Sequence, residues 1–492
     1  MSYDSIIIGT GLSGLTCGLL LAKSGRRVLL VEQHHEPAPV VRGFSRGGIY
    51  FDSGFHYAGG LGEGGPLRLL LKHLGLAEKL EFLPFVADGF DRLRIPGSAA
   101  DIDLPVGMAR IADHLSQLFP HLQQEITRFL DEIEARWCDF PYLDLDKEFA
   151  ASDLQSIHGA SLAQRLKVFS SAPSLQTLLS MHSLLYGVAP QEASVTLNAQ
   201  VAGSYFHSAD GVSGGGRRLI ETYLERLSEC GVDLRCRARV ARILSVDGKV
   251  AGVNLVDGET VLAPEVIATC NPTLVPAMLP AGVLRPAYRK RLEQLKQTPS
   301  ALILYARCVT PTPLLRGKNL FVCPQPGTLQ VALDRPLEER PMYLAGADYC
   351  SATDGTRGVI AIIPTAFDEV AAWQHSAGQR CSEYLDWKQQ MTRRLLRHLT
   401  TSVPELGELD PLDVATPLTL EKYSRAPQGA IYGIGRVLGQ YNPQPQTRLP
   451  GFFLSGQAVA GPGLLGTLVA GYYTCGSIIG HELLRGELRT CR

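Results

Sequence analysis

Residues 1–15, MSYDSIIIGTGLSGL, set the fold of this chain. A short apolar strand, Ser5 to Ile8, runs into Gly9, Gly11 and Gly14 at G-x-G-x-x-G spacing. A helical pattern follows to Ser24, a second strand runs from Arg27 to Val31, and Glu32 closes it. Each part has a physical task in holding a dinucleotide. Gly9 permits a tight strand-to-helix turn, Gly11 lets the backbone approach a pyrophosphate, and Gly14 lets the helix pack closely on the sheet. The helix N-terminus presents free N–H groups and the positive end of its dipole. Glu32, 18 residues beyond Gly14, stands where a carboxylate accepts hydrogen bonds from ribose hydroxyls and repels a 2′-phosphate. The glycines alone are a weak signal. Strand, helix, second strand and terminal acid in register make it a strong one.

The chain has 492 residues, enough for roughly three average domains. Lys+Arg 47 against Asp+Glu 48 leaves a formal charge of −1, with no basic excess to suggest nucleic acid. The eleven cysteines match no zinc, redox or disulfide spacing, which favours reduced thiols and a cytoplasmic setting. No metal motif, P-loop or Ser-His-Asp order is present. The first apolar run belongs to the first strand and lacks a basic leader, so no secretory signal is expected. Gly463 to Gly480 is apolar but glycine-rich and at the lower edge of spanning length, and reads as a loop feeding a buried helix.

Three separated stretches read as one discontinuous Rossmann-like unit of α/β class: residues 1–65, 200–275 and 420–492. In the second, a glycine turn at Gly214 to Gly216 precedes an amphipathic helix and a meander punctuated by Asp247-Gly248 and Asp257-Gly258. Between them, residues 66–199 read as a helical lid. Residues 276–419 read as a mixed α+β substrate domain with a long helix near Cys381 to Thr400.

Further along, GIYFDSGFHYAGGLG (Gly48 to Gly62), TPLTLEKYSRAPQGAIYGI (Thr416 to Ile434) and LPGFFLSGQAVAGPGLLGTLVAGY (Leu449 to Tyr472) join the opening motif in the same order. This set resembles the FAD-dependent polyene oxidoreductases: phytoene desaturases, carotenoid cis-trans isomerases and retinol saturases. The middle segment resembles the isomerase and saturase branch. The resemblance implies that Gly9, Gly11, Gly14 and Glu32, with Leu12, Ser13 and Gln33 beside them, hold the ADP half of FAD. It implies that the Val240 backbone contacts adenine and that Gly456 and Gln457 lie near the phosphates and ribityl chain. Leu464, Leu465 and Gly466 then begin a helix facing the flavin, with His56 and Tyr57 in a loop beside the ring. His56, Tyr57, Tyr423 and Glu421 are the catalytic candidates; His56 reads equally as a hydrogen-bonding loop residue, and Tyr423 as pocket wall. Glu421, the lone acid of its stretch, reads equally as a solvated loop residue, while Asp52 reads as fixing its own loop.

One position departs from the family. Where it has a Gly-Gly pair about seven residues past the ribose acid, this chain has Ala38-Pro39. Neither residue tolerates positive φ as glycine does, and proline removes a donor. Two readings follow: FAD bound with one or two fewer backbone contacts, weaker by ~1–3 kcal/mol, or a chain that has lost FAD. The intact remaining elements favour the first. The implied chemistry is hydride transfer at flavin N5 on a long apolar polyene or isoprenoid, giving desaturation, saturation or isomerisation. Its partners are an apolar small molecule and, through the amphipathic Lys167 to Pro190 stretch, a membrane surface at the cytoplasmic face. That stretch reads more readily as packing on a substrate tunnel. A flavin amine oxidase or protoporphyrinogen-oxidase-like enzyme shares the front motif. A non-catalytic lipid-binding protein on a degenerate flavoprotein fold rests on Ala38-Pro39 alone.

Overall fold

A computed structural model describes residues 3–149, 159–347, 355–374 and 380–492. Its centre is a five-stranded parallel sheet in the order Asp233–Arg235, Val28–Val31, Ser5–Ile8, Glu265–Ala268, Phe452–Leu454. The first two strands and the helix Leu12–Lys23 between them are continuous buried apolar runs, the pattern required when both faces of a parallel sheet are covered. Segments from the start, middle and end of the chain therefore share one sheet, and the fold is α/β with a discontinuous Rossmann-like unit. The third, fourth and fifth strands also share one core with the C-terminal helix Gly463–Ile479. Ser13 Oγ lies 2.7 Å from Ser455 Oγ, which in turn donates to the carbonyl of Ala470 at 3.1 Å. One buried hydroxyl pair thus pins the first helix, the last strand and the last long helix together.

The Asp-Gly pairs form the expected turns of an antiparallel meander, Val240–Val246, Lys249–Leu255 and Thr260–Leu262. The predicted long helix spans Ser382–Ser402. A seven-stranded sheet forms the second layer, in the order Leu409–Ala415, Ser300–Thr312, Thr356–Thr365, Met342–Ala347, Asn319–Val322, Asp91–Arg94, Ile102–Leu104. Its last two strands come from the stretch read as mostly helical. They are short and carry charged residues, so nothing local marks them; Asp91–Arg94 forms because it pairs in parallel with Asn319–Val322. The rest of residues 66–199 is mainly helical, packed on this sheet through Ile111, Leu115, Phe129, Ile133 and Leu178.

The Lys167 to Pro190 stretch breaks into a helix, Pro173–Ser180, flanked by short 3₁₀ turns. Phe169, Leu175, Leu178 and Leu179 are buried in it, leaving Val168 as the exposed large apolar residue there. Its apolar face therefore packs inward. Among the described residues, no helix is long and apolar enough to cross a membrane.

Candidate active site

Between the two sheets the protein atoms enclose a cavity of about 1140 Å³. Two helix N-termini open onto it. The helix Leu12–Lys23 starts at Gly11 and the helix Gly463–Ile479 at Pro462, and neither has a side-chain cap. Both therefore present free N–H groups and a positive dipole end. Gly11, Leu12 and Ser13 line the cavity at the first, and Gly463, Leu464 and Thr467 at the second. A Cβ on Gly11 would meet no protein atom within 4 Å, so this backbone borders open space that a phosphate can enter. Gly9 has φ +103°, as its turn requires. A Cβ on Gly14 would collide with the Gly9 carbonyl, and one on Gly466 with the Gly461 backbone, so both turns depend on glycine for close packing. Two uncapped helix starts facing one cavity, one beside a glycine cradle, fit a ligand with a pyrophosphate and an electron-accepting ring. FAD fits that description.

The sequence-derived cofactor and cavity residues divide into three groups. Gly11, Leu12, Ser13, His56, Tyr57, Tyr423, Gly456, Gln457 and Leu464 line the cavity; Gly456 has φ +106° at the end of the last strand. Gly9, Gly14, Leu465 and Gly466 lie immediately behind it in the two turns. Glu32, Gln33 and Val240 lie outside the lining; Glu32 and Gln33 follow the strand Val28–Val31, and Val240 starts the first strand of the meander. Glu32 is buried, and its Oε2 accepts from the N–H and hydroxyl of Thr10 at 3.1 and 2.7 Å, while Oε1 accepts from the His34 N–H at 2.9 Å. A carboxylate has about four lone-pair sites, so capacity for a ribose hydroxyl remains.

Glu421 does not reach the cavity. Its carboxylate accepts from Gln374 Nε2 at 3.0 Å and from the Gln428 N–H at 3.3 Å, so it ties loops together instead of facing substrate. Tyr423 is 45% exposed at the rim, its ring 5.6 Å from His34. That places it at an entrance, as wall. Asp52 Oδ1 accepts from the Gly216 N–H at 2.7 Å and so caps the helix Gly215–Glu229.

Ala38 is the unexpected residue. It is buried and adopts φ +49°, a left-handed conformation that favours glycine. Its N–H donates to Thr10 Oγ1 at 3.1 Å, and its carbonyl accepts from the N–H groups of Val41 and Arg42. Thr10, between Glu32 and Ala38, holds the strained residue in place; nothing in the sequence pattern singled it out. Alanine reads as poorly suited to positive φ, and here it adopts it at the cost of about 1–2 kcal/mol of backbone strain. Pro39 follows it into the cavity wall.

His56 lines the cavity with its ring 5.8 Å from that of Tyr343. Burial pushes its imidazole down to about 4, so it is neutral at neutral pH. Beyond the turns, the wall is largely apolar, with Leu184, Val188, Ile303, Val331 and Ile362. Of the three acids in the lining, Glu192 is paired with Lys296 and Asp413 with Arg46 and Lys388, while Asp368 is exposed to solvent. Among the described residues no cluster of His, Cys, Asp or Glu forms a metal site.

Comparison with known proteins agrees with this geometry. The profile of the flavin containing amine oxidoreductase family matches residues 12–478. The chain is 26% identical to an all-trans-retinol 13,14-reductase of Rattus norvegicus, over 99% of this chain and 87% of that one. It is 24% identical to a 1-hydroxycarotenoid 3,4-desaturase of Flavobacterium sp. (strain P99-3), over 87% and 88% of the two chains. Among solved structures, an oxidoreductase from Methanosarcina mazei shares the fold with a TM-score of 0.68 at 17% identity, covering 97% of this chain and 99% of that one. The chain belongs to the flavin containing amine oxidoreductase family, and it is an FAD-dependent oxidoreductase.

Proposed function

We propose that this protein transfers hydride between FAD and a C=C or C–C unit of a long apolar polyene, as a saturase, isomerase or desaturase. The observation that carries this reading is the continuity of one cavity from the two helix N-termini to an apolar wall with no unpaired buried acid. A protonated amine would call for an acceptor, and Glu192 and Asp413 are already paired with cations. The amine oxidase alternative is thus the broader family, and the retinol and carotenoid relatives support the polyene reading. The Thr416 to Ile434 segment and the reductase relative lean toward saturation or isomerisation.

FAD, when bound, supplies hydride chemistry at N5 of its ring. The chain binds and orients it. Gly11 and the first turn of Leu12–Lys23 offer N–H groups to the pyrophosphate, and Glu32 stands at the ribose end. Gly463 and Leu464 begin the helix that faces the ring system. His56, being neutral, presents no cation to an apolar substrate, and Tyr57, Tyr205 and Tyr343 close the cavity with aromatic faces. The apolar wall excludes water from the reacting carbons. Ten free thiols among the described residues support our placement of the protein in a reducing cytoplasm. A peripheral membrane contact, if it delivers substrate, falls to a face other than Lys167 to Pro190.

The test is product identity. Flavin-loaded protein, reduced anaerobically, is incubated with all-trans-retinol and with C40 carotenes, and products are resolved by chromatography and mass spectrometry. A dihydro product identifies saturation, and a retention shift at unchanged mass identifies isomerisation. If no polyene is converted in either flavin oxidation state, the proposal fails.

A further inference from the structure

Behind the cavity wall lies a buried polar cluster that flavin binding does not use. Asp91, on the strand Asp91–Arg94, is fully buried. Its Oδ2 accepts from the Tyr57 hydroxyl at 2.9 Å and lies 2.7 Å from His182 Nε2. Its Oδ1 accepts from Asn319 Nδ2 at 2.8 Å, and Asn319 Oδ1 accepts from the Tyr343 hydroxyl at 3.0 Å. Sheet register builds this arrangement: Asn319 is paired with Asp91 across neighbouring parallel strands, and Phe321 with Tyr343 one strand pair further on. His182 is 1% exposed, against the rings of Phe90, Tyr205, Phe206 and Phe321. Burying a carboxylate and an imidazole costs several kcal/mol, and well-packed apolar residues of similar volume serve stability at least as well. The cluster therefore calls for a role beyond packing.

Connectivity supplies one. Tyr57 and Tyr343 line the cavity, whereas Asp91 and His182 do not. Tyr57 bonds to Asp91 directly; Tyr343 reaches it only through Asn319. We propose that Tyr57 passes the proton that accompanies hydride transfer, with Asp91 and His182 as positioning residues that hold that proton behind it. This rests on the polyene reading above.

The step balances in both directions. In desaturation, hydride leaves one carbon with its electron pair, and the C–H bond of the neighbouring carbon breaks to form the double bond. That proton goes to Tyr57 Oη as the Tyr57 proton goes to Asp91 Oδ2, and Asp91 holds it as a carboxylic acid, fixed in place by His182 Nε2 at 2.7 Å and by Asn319. In saturation, hydride from the reduced flavin adds to one carbon, and the protonated Asp91 returns its proton through Tyr57 to the neighbouring carbon. The observed bond, with Tyr57 donating to Asp91, is the starting arrangement for the first direction. Burial and the adjoining Asp91 carboxylate hold the Tyr57 phenol well above its ordinary range, so the proton moves through Tyr57 without leaving a phenolate. Among the described residues, the titratable groups that meet the Asp91–His182 pair are Tyr57 and Tyr205, with Tyr343 linked to Asp91 through Asn319.

Two readouts on flavin-loaded protein test the proposal. In the first, ¹³Cζ-tyrosine NMR, assigned with Tyr57→Phe, compares the Tyr57 ring in wild type and in Asp91→Asn. The Tyr57 signal is expected to move when Asp91→Asn removes the carboxylate to which its hydroxyl donates. In the second, reduced enzyme is mixed anaerobically with all-trans-retinol and with a C40 carotene, in H₂O and D₂O. Tyr57→Phe is expected to slow flavin reoxidation about 100-fold, while Glu421→Gln, outside the cavity, leaves it within about threefold. A Tyr57 signal unmoved by Asp91→Asn overturns the relay, as does a Tyr57→Phe variant with wild-type rate and solvent isotope effect. Wild-type flavin that no polyene reoxidises overturns the functional reading itself, and the relay with it.

Discussion

Replacing Gly11 by alanine separates flavin binding from folding. Gly11 has φ −61° and ψ 167°, which alanine adopts without strain, and its Cβ would point into open space. Restricting the unfolded chain favours alanine by ~0.4–1 kcal/mol, while alanine is a poorer N-cap than glycine by a similar amount. The two nearly cancel, so the apoprotein should keep its stability to within about 0.5 kcal/mol. A pyrophosphate lying against this backbone would meet the new methyl group, and loss of one or two N–H contacts costs ~1–3 kcal/mol. That is roughly a 5- to 150-fold rise in the FAD dissociation constant. Gly14→Ala is the contrasting variant. Its Cβ meets the Gly9 carbonyl in the ligand-free chain, so the apoprotein itself should lose ~1–3 kcal/mol. Denaturant unfolding of the apoproteins and FAD titration by fluorescence quenching measure both quantities. If Gly11→Ala binds FAD within twofold of wild type, the pyrophosphate does not lie where the glycine cradle places it.

At Ala38, glycine removes ~1–2 kcal/mol of strain but also a buried methyl worth ~0.8 kcal/mol. Ala38→Gly should therefore unfold within about 1 kcal/mol of wild type, while β-branched Ala38→Val loses at least about 2 kcal/mol, as urea unfolding reports. Thr10→Val leaves the buried Ala38 N–H without an acceptor and should cost ~1–3 kcal/mol, with Thr10→Ser restoring most of it. For His56 the folded-state value of about 4 lies below the unfolded value, so protonation favours the unfolded chain and stability is lost as pH falls from about 6.5 toward 4. Between pH 7 and pH 5 that loss is about 2 kcal/mol, and apoprotein carrying His56→Gln should escape it, measured by unfolding at the two pH values.

The legible parts of this protein were the local ones. The run from Ser5 to Glu32 shows strand, turn and helix within 28 residues, and each signal is a backbone requirement of its own glycine or a periodicity of its own segment. The Asp-Gly turns of the meander were readable for the same reason. Asp91–Arg94 was not, because its strand character comes from pairing with Asn319–Val322, more than 200 residues away, and Ile102–Leu104 in turn forms by pairing with Asp91–Arg94. The same pairing brings Asp91 beside Asn319, and neither they nor His182 stand in a motif. Their sole sequence clue is negative: charged or polar residues inside otherwise apolar stretches. Ala38 misled in the opposite direction. Its residue type argued against positive φ, and the tertiary hydrogen bond from its N–H to Thr10 overrides that preference. Glu421 shows the limit of a motif, since it lies within a family-like segment yet its carboxylate serves Gln374 and Gln428.

The central claim is that the cavity carries FAD and presents it to a polyene and not to an amine. Stopped-flow spectroscopy of the purified, flavin-loaded protein under strict exclusion of oxygen tests it most directly, following the flavin bands on mixing with polyenes and with putrescine or cyclohexylamine. The account predicts reoxidation of the reduced flavin by a polyene, or polyene-dependent bleaching of the oxidised flavin, and no response to either amine. Bleaching by an amine with none by polyenes, or protein that takes up no flavin, would contradict it.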